Sequence, residues 1–173
     1  MNFADYNPPD WDQWFLQGVY WIASKSKDPK TKIGAIIVKD NHIISTGYNG
    51  IPEGVDDGIL DRNERPEKYK WYEHGERNAI YNAARHGIGT SNTILYTNAT
   101  PCADCARGII RCGIKEVYVH KQFTDLTDVV VRDQWKGHNK TTITMFNEAR
   151  IGFYEVDAIL GCKAYFDGRV YDV

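Results

Sequence analysis

Hydrophobic and polar positions near the start of the chain follow a helical period. Apolar residues from Trp11 to Ile22 recur at helical spacing, and Asp10 just before them is of a type that caps helix N-termini. We therefore predict a first helix that begins after Asp10 and ends near Ser24. Its tryptophans are expected to lie in the core, because an apolar stripe of this kind normally packs against a neighbouring element.

The next segments change from helical to strand character. Two runs rich in β-branched residues, 34–38 and 43–48, are joined across Asp40-Asn41 and predict an antiparallel hairpin. Turn-forming residues then predominate over 49–72, which indicates a long loop, and long loops in compact domains are often functional. At its start, Asn49 is placed either to hydrogen-bond the sugar of a ligand or only to turn the backbone.

The second half of the chain alternates helices and strands. The predicted elements are a helix over 75–86 closed by Gly87, strands over 93–97, 116–119 and 152–156, and helices from Pro101 and Thr141. Parallel strands separated by helices place helices on the faces of a sheet. Residues 136–140 are predicted to form a polar loop. For 158–173 two alternatives stay open, an extended sheet edge or a segment wrapped around a neighbouring subunit.

Composition limits the class of protein. The 173 residues, 42% hydrophobic and 25% charged, predict one globular domain over 1–173, with a core of about 11–157 and a C-terminal extension over 158–173. No apolar run approaches the roughly 20 residues that span a bilayer, and the N-terminus lacks a secretion signal, so we expect a cytoplasmic protein without a membrane partner. The net charge of −2 argues against a nucleic-acid partner and favours a small-molecule substrate.

Lysines are concentrated in one loop. Four of them lie in the eight residues from Lys25 to Lys32, beside a proline that ends the first helix. This loop is either a solvated surface or a phosphate-binding edge, since ammonium groups and loop amides can share one phosphate.

The residues that carry chemistry are His74, Glu76, Cys102 and Cys105. One imidazole and two thiolates suit a Zn²⁺ ion whose fourth position stays open for water, the pattern of a catalytic rather than a structural zinc. Glu76 is then a carboxylate free to carry protons as the catalytic acid and base. Residues two apart on a helix point about 200° apart, so His74 must lie at or before the first turn. Together these residues fit the H-x-E and P-C-x-x-C signature of zinc nucleobase deaminases.

Further stretches extend this match along most of the chain. They are Ser26-Lys27-Asp28-Pro29, Ile33-Gly34-Ala35, Gly47-Tyr48-Asn49-Gly50, residues 74–80, residues 101–106 and residues 113–117. Over about 14–156 the sequence closely resembles the deoxycytidylate deaminases of the cytidine deaminase superfamily. The zinc motif belongs to the whole superfamily, whereas the Ser-Lys-Asp-Pro loop and the Gly-Tyr-Asn-Gly strand end are typical of the deoxycytidylate branch.

The resemblance implies an α/β fold of three α-β-α layers, with a mixed five-stranded sheet and helices on both faces. It implies hydrolysis of dCMP to dUMP and ammonia for thymidylate synthesis, a homohexamer, and regulation by dCTP and dTTP with Mg²⁺ on the effector phosphates. By the same resemblance Lys27 would bind the phosphate, Asn49 the deoxyribose, and Phe123 would stack on the base. Asp56 and Asp57 lie where the family has acidic residues near the effector site.

Three positions depart from the family pattern. Gly75 replaces the usual Ala of the zinc motif, Lys25 replaces a common Arg, and an insertion around 125–139 has no familiar counterpart. Alternatives to the dCMP interpretation are a riboflavin-pathway or guanine deaminase, which would share the zinc site, and a non-catalytic zinc protein that binds dNTPs. A deaminase that edits nucleic acid would need a basic groove, which the net charge does not favour.

Overall fold

The computed structural model describes residues 7–130 and 136–173. Its helices are α1 (Trp11–Ala23), α2 (Lys68–Trp71), α3 (Gly75–Arg85), α4 (Ala103–Arg111), α5 (Lys121–Val130) and α6 (Lys136–Ala149). Its strands are β1 (Gly34–Lys39), β2 (His42–Tyr48), β3 (Ile94–Thr97), β4 (Glu116–His120), β5 (Gly152–Val156), β6 (Lys163–Phe166) and β7 (Arg169–Asp172). Within these described ranges, no helix is both long enough and apolar enough to cross a bilayer.

Five strands form the central sheet, in the order β2-β1-β3-β4-β5. Strand β1 pairs antiparallel with β2 and β3, whereas β3, β4 and β5 are parallel. The sheet has a hydrophobic core on each face. Because side chains alternate across a strand, Ile36 and Val38 of β1 lie in one core and Ala35 and Ile37 lie in the other. The predicted three-layer fold with a mixed five-stranded sheet is therefore confirmed.

Each face of the sheet is covered by different helices. On one face, α1 packs with Phe123 of α5 and with buried side chains of the C-terminal segment, including Phe166. On the opposite face, residues of α3 and α4 pack with Phe146 of α6. The zinc motif lies on the two helices of this second layer, so the packing that holds α3 beside α4 also brings the motif together.

Helix α1 begins where the sequence predicts, but it presents a different face to the core. The Asp10 side chain caps the helix by accepting a hydrogen bond from the Gln13 amide at 2.8 Å. Trp11 and Trp14 are 55% and 46% exposed, so the prediction that the tryptophans lie in the core is wrong. The buried positions are Phe15, Leu16, Val19, Tyr20 and Ala23, which form a continuous stripe at helical spacing.

The predicted hairpin and the loop that follows it are present. Asp40 and Asn41 both adopt positive φ, at 50° and 60°, as a tight two-residue turn requires. Between β2 and α3 the chain forms a short 3₁₀ turn at Leu60–Asn63 and the single-turn helix α2.

The segment between β4 and β5 contains more helix than the sequence predicts. Helix α5 follows β4 directly, and α6 begins at Lys136, so the predicted polar loop over 136–140 is wrong. The polar, Asp-rich composition of this region concealed a helical spacing in which Phe123 and Leu126 face the core. Residues 131–135 of the unfamiliar insertion lie outside the described residues.

The C-terminal segment forms its own hairpin. Strands β6 and β7 pair antiparallel across Asp167 and Gly168, whose φ angles are 49° and 75°. They do not join the five-stranded sheet. Instead, the Lys32 amide donates to the Tyr165 carbonyl at 3.0 Å and the Gly168 amide donates to the Lys30 carbonyl at 2.8 Å, so the hairpin packs on the lysine-rich loop of its own chain.

Candidate active site

Two helix N-termini present the predicted metal ligands. His74 is the N-cap of α3 and Cys102 the N-cap of α4, both with extended backbone, while Cys105 lies in the first turn of α4. Because His74 precedes the helix, its ring and the Glu76 carboxylate can face the same space. The geometric condition set by the sequence is therefore met, and both helix ends contribute exposed amides and positive dipole ends.

The three ligand atoms lie at the separations that a zinc ion requires. The His74 Nδ1 is 3.5 Å from both sulfurs, and the Cys102 and Cys105 sulfurs are 3.6 Å apart. A tetrahedral zinc, with bonds of about 2.3 Å to sulfur and about 2.0–2.1 Å to nitrogen, separates its ligand atoms by about 3.5–3.8 Å. The residues present therefore fit zinc, with one tetrahedral position left for another ligand.

Glu76 completes this group as a buried carboxylate. The residue is 3% exposed, and its Oε2 lies 3.6 Å from the Cys105 sulfur. Burial raises the pKa of Glu76, because removal from water disfavours the charged form. The side chain thus lies beside the ligand group, and its raised pKa makes it better able to take up a proton.

The two cysteines have opposite pKa shifts. A hydrogen bond from Cys105, helped by His74, lowers the pKa of Cys102 to about 3. The same sulfur–sulfur contact, together with burial, raises the pKa of Cys105. The sulfur–sulfur contact thus favours a thiolate at Cys102, and a bound cation would favour the thiolate at both cysteines, since metals bind the thiolate form.

Charged neighbours fix the two helix ends relative to one another. The Arg77 Nε donates to the Glu73 carboxylate at 2.6 Å, and that carboxylate also accepts the His74 amide at 2.9 Å. From α3, Arg77 reaches to within 3.9 Å of Asp104 on α4. Arg77 thus connects the segment that carries the histidine with the helix that carries Cys105.

The Asn49 side chain holds the loop between α1 and β1 at three points. Its Oδ1 accepts from the Ile33 amide at 2.8 Å, and its Nδ2 donates to Thr31 O at 2.8 Å and to Asp28 Oδ2 at 2.9 Å. Both hydrogens of the Nδ2 group are therefore used within the chain. The side chain also lines the cavity in front of His74, so it holds the backbone of this loop and is exposed to the cavity.

A buried ion pair next to Asn49 was not singled out in the sequence. The Lys68 Nζ lies 2.5 Å from Asp28 Oδ2, and the two side chains are only 9% and 1% exposed. Asp28 also accepts from the amides of Lys30 and Thr31. Asp28 belongs to the Ser-Lys-Asp-Pro motif, but Lys68 lies 40 residues later in the loop before α3, and local sequence gave no signal for their contact.

A cavity opens from the predicted zinc site to the protein surface. It is lined by His74, Glu76 and Cys102, and also by Asn49, Arg65 and Phe166. The structure thus brings together four of the predicted site residues (His74, Glu76, Cys102 and Asn49) and places Cys105 directly behind them.

Three other predicted site residues lie elsewhere on the surface. Lys27 is 77% exposed, its Nζ pairs with Asp57 at 2.6 Å, and neither residue lines the cavity. Asp56 accepts a hydrogen bond from the Gly58 amide within the long loop. The contact between Lys27 and Asp57 connects the predicted phosphate loop with the predicted effector loop, outside the cavity.

Phe123 also lies outside the cavity. Its ring is fully buried on the α1 face of the sheet, 6.2 Å from Tyr20 and 5.7 Å from Phe166, measured between ring centroids. It is part of the hydrophobic core and does not line the cavity. The aromatic side chains that line the cavity are instead Tyr69, Tyr72 and Phe166, the last supplied by the C-terminal hairpin.

Sequence comparison agrees with this site. The profile of the family described as the cytidine and deoxycytidylate deaminase zinc-binding region matches residues 9–121. An uncharacterized deaminase in the luxG 3′ region of Aliivibrio fischeri is 37% identical over 141 residues, which covers 82% of this chain and 90% of that protein. Deoxycytidylate deaminase of Homo sapiens is 37% identical over 114 residues, which covers 62% of this chain and 63% of the human protein. The match thus spans less than two thirds of the human protein.

Solved structures show the same fold. The dCMP deaminase of cyanophage S-TIM5 in complex with dCMP and dUMP superposes with a TM-score of 0.64 at 22% identity, covering 87% of this chain and all (100%) of the phage chain. A bifunctional diaminohydroxyphosphoribosylaminopyrimidine deaminase and reductase from Thermotoga maritima gives a TM-score of 0.56 at 23% identity, covering 84% of this chain and 36% of that chain.

Proposed function

Because the chain belongs to the cytidine and deoxycytidylate deaminase zinc-binding family, we propose that it catalyses the hydrolytic deamination of dCMP to dUMP and ammonia. The observation that carries the chemistry is the grouping of His74 Nδ1 with two sulfurs at tetrahedral spacing, beside a buried carboxylate. The substrate assignment is supported by the deoxycytidylate deaminase relatives and by the motifs of that branch.

His74, Cys102 and Cys105 would hold the zinc ion. When bound, zinc supplies a water molecule acidic enough to attack a pyrimidine carbon at neutral pH. The chain's own contribution is to hold three ligands on two helix ends, two of which, His74 and Cys102, line the cavity where the substrate would bind.

Glu76 is the proton carrier in this proposal. Its carboxylate accepts a proton from the attacking water and delivers it to N3 of the cytosine ring, while a new C4–O bond forms. Glu76 then takes the proton of the new C4 hydroxyl and passes it to the amino group. As C4=O forms, the C4–N bond breaks and ammonia leaves. The buried setting suits this role, since a carboxylate shielded from bulk water exchanges protons with the bound substrate first.

The cavity walls would orient the nucleotide. Because Asn49 spends both Nδ2 hydrogens inside the chain, its Oδ1 is the atom with a lone pair left to accept a deoxyribose hydroxyl. Its hydrogen bonds to Asp28, Thr31 and Ile33 hold that oxygen in place before a ligand binds.

The test is ammonia release from a panel of substrates by the zinc-loaded protein. We expect dCMP to be deaminated with a higher kcat/KM than deoxycytidine, cytosine, guanine or a riboflavin-pathway pyrimidine, and we expect chelation to remove activity. A protein that deaminates guanine or the riboflavin intermediate and leaves dCMP intact would contradict the proposal. A protein that binds zinc and dNTPs without releasing ammonia from any of them would point to the non-catalytic alternative.

Regulation and assembly are further parts of this proposal. In this proposal Asp56 and Asp57, which lie in an exposed loop, bind Mg²⁺ and the phosphates of dCTP or dTTP. The protein also forms a homo-oligomer such as a hexamer, which is supported by the exposed indoles on α1, where Trp21 is 76% exposed. Rates measured with and without each nucleotide, and the mass of the particle in solution, test these two points. The predicted cytoplasmic location also stays a prediction.

A further inference from the structure

A dCMP substrate brings a phosphate whose charge must be matched by the protein. Two cationic side chains line the cavity among the residues that the structure describes, Arg65 and Lys68, both from the loop that precedes α3. Lys27, the residue expected from the sequence, is not among the lining residues and already pairs with Asp57 at 2.6 Å. The phosphate subsite therefore has to be sought at Arg65 or Lys68.

Lys68 is already neutralised within the chain. Its side chain is 9% exposed, its Nζ lies 2.5 Å from the buried Asp28, and its ammonium lies over the Tyr72 ring at 5.0 Å. A phosphate that took this ammonium would leave the Asp28 carboxylate buried without its cation, which is strongly unfavourable. The role of Lys68 is therefore to neutralise Asp28, which in turn holds Asn49, and not to bind the phosphate of a ligand.

Arg65 is in the opposite situation. Its side chain is 47% exposed at the wall of the cavity, and its nearest charged neighbour, Asp167, is 3.8 Å away. That separation is longer than a hydrogen bond, so the guanidinium keeps N–H donors for a ligand while its orientation is favoured by the carboxylate. The planar fork of an arginine can donate two parallel hydrogen bonds to one phosphate.

Asp167 occupies a fixed position because the C-terminal hairpin is anchored. At the turn of the hairpin, the Gly168 amide donates to Lys30 O at 2.8 Å, and on strand β6 the Tyr165 carbonyl accepts from the Lys32 amide at 3.0 Å. The neighbouring Phe166 is 5% exposed and forms part of the cavity wall. The hairpin thus builds one side of the cavity with adjacent residues.

We propose that Arg65 binds the 5′-phosphate of the nucleotide and that Asp167, carried by the C-terminal hairpin, positions Arg65 for this contact. Arg65 would then set the preference for a nucleotide over the corresponding nucleoside. The inference rests on the proposed deamination of dCMP and extends it by assigning the phosphate subsite and by giving the C-terminal segment a part in the active site.

The experiment compares kcat/KM for dCMP and for deoxycytidine, which lacks the phosphate. We expect Arg65→Gln to lower the value for dCMP by about tenfold to a hundredfold, the range for lost hydrogen bonds to a charged group, mainly through KM. The value for deoxycytidine should stay within about twofold of wild type, which also shows that the variant is folded. Arg85→Gln is the matched control, because Arg85 is an exposed arginine paired with Glu53 outside the cavity and its loss should change neither value.

Asp167→Asn tests the positioning role. It should lower kcat/KM for dCMP by a smaller factor than Arg65→Gln and leave deoxycytidine turnover unchanged. Binding of the product dUMP, followed by calorimetry, gives a second readout in case deoxycytidine turns over too slowly, and its Kd should rise at least about tenfold in Arg65→Gln.

Different failures identify different errors. If Lys27→Gln loses the preference for dCMP and Arg65→Gln keeps it, the assignment of the phosphate to Arg65 is overturned and the sequence-based expectation is restored. If both Arg65 variants, Arg65→Gln and Arg65→Lys, match wild type in dCMP turnover and in dUMP binding, the inference is also overturned. If wild-type protein releases ammonia from neither dCMP nor deoxycytidine, the proposed function itself fails.

Discussion

Glu76 shows how much of the proposed chemistry depends on one side chain. It is the carboxylate of the group that is free of a metal-ligand role, it is buried, and it lies beside the Cys105 sulfur at 3.6 Å. The proposed metal ligands are instead His74, Cys102 and Cys105. Removal of the acid should therefore separate catalysis from metal binding.

We predict that Glu76→Gln lowers kcat for dCMP by at least about a hundredfold, in keeping with the loss of a general acid and base. Zinc content should stay near one per chain, since His74, Cys102 and Cys105 are intact. Ammonia release and metal analysis of the same preparation measure both quantities. A variant with wild-type turnover would remove Glu76 from the mechanism, and a variant without zinc would show that the carboxylate has a role in holding the metal.

Lys68 illustrates a different kind of residue in the same site. Its pairing with Asp28 takes place in the interior, where a charge that loses its partner cannot be hydrated. We predict that Lys68→Met lowers the free energy of unfolding by about 3–5 kcal/mol, because the Asp28 carboxylate would be left buried without its cation. Urea unfolding of the zinc-loaded protein measures this change.

The control is Lys70→Met, which removes a lysine that is 71% exposed and pairs with Glu67 on the surface of the same short helix. Exposed ion pairs contribute less than about 1 kcal/mol, so this variant should differ little from wild type. If both variants lost the same free energy of unfolding, the buried ion pair would contribute no more to stability than the exposed one.

The ligand residues could be predicted from sequence because each group is local. One pair, His74 and Glu76, lies at the start of α3, and the other, Cys102 and Cys105, lies at the start of α4. Within each pair, the spacing along the chain therefore determines where the side chains point. Asn49 could be placed at the end of a strand for the same reason. Arg65 and Phe166 could not be found in this way, since their approach to the cavity depends on how a long loop and a distant hairpin pack.

At the scale of elements, the predicted helices and strands are mostly correct where the period is clear. Strand β5 has the predicted bounds, and β1, β3 and α3 agree to within one residue at either end. Two of the predictions that failed are the core position of the α1 tryptophans and the absence of helix α5. Helix α1 has aromatic residues on its exposed side, and α5 has many polar residues around a narrow apolar stripe. In both cases tertiary packing, rather than local pattern, decides which face is buried.

Strand β2 approaches helix α3 closely at Gly47. A Cβ placed on Gly47 would lie 2.2 Å from the Ala79 amide nitrogen and 2.4 Å from the Gly75 carbonyl oxygen. Both are backbone atoms of α3, so a side chain at this position can be accommodated only if the whole helix moves. Gly75 lies between the metal ligand His74 and the proton carrier Glu76.

We predict that Gly47→Ala destabilises the protein by about 1–3 kcal/mol or more, as overpacking does, and also weakens zinc binding because α3 is displaced. Thermal unfolding and competition with a zinc chelator measure the two effects. Gly89→Ala is the control, since a Cβ there would meet nothing within 4 Å. If Gly47→Ala kept wild-type stability and zinc affinity, α3 would have room to move without disturbing the metal ligands.

At the scale of the whole molecule, His120 connects three distant parts of the chain. It ends β4, its Nδ1 lies 2.7 Å from the Tyr20 hydroxyl on α1, and its Nε2 lies 2.8 Å from the Ala158 carbonyl at the start of the C-terminal segment. Because a carbonyl can only accept, Nε2 carries the proton of the neutral ring and Nδ1 accepts from Tyr20. The ring is fully buried, so the neutral form is held on both sides by hydrogen bonds.

Burial lowers the pKa of His120 below its ordinary value of 6.5, although the Ala158 carbonyl and the charge of Asp157 act in the opposite direction. The unfolded chain therefore binds a proton at a higher pH than the folded chain does. The contribution of His120 to stability is complete above about pH 6.5 and falls as the pH drops from there through the folded-state pKa. At pH 5 the loss can reach at most about 2 kcal/mol for a histidine that stays neutral when folded.

We predict that wild type loses more stability than His120→Asn between pH 7.5 and pH 5, because the asparagine does not titrate. Urea unfolding of both proteins in excess zinc at the two pH values gives the difference. Acid also protonates the metal ligands, but that loss is common to both proteins and cancels in the comparison. Equal losses would mean that the His120 ring is protonated in the folded protein as easily as in the unfolded chain. The contacts that join β4, α1 and the C-terminal segment would then persist with a charged ring.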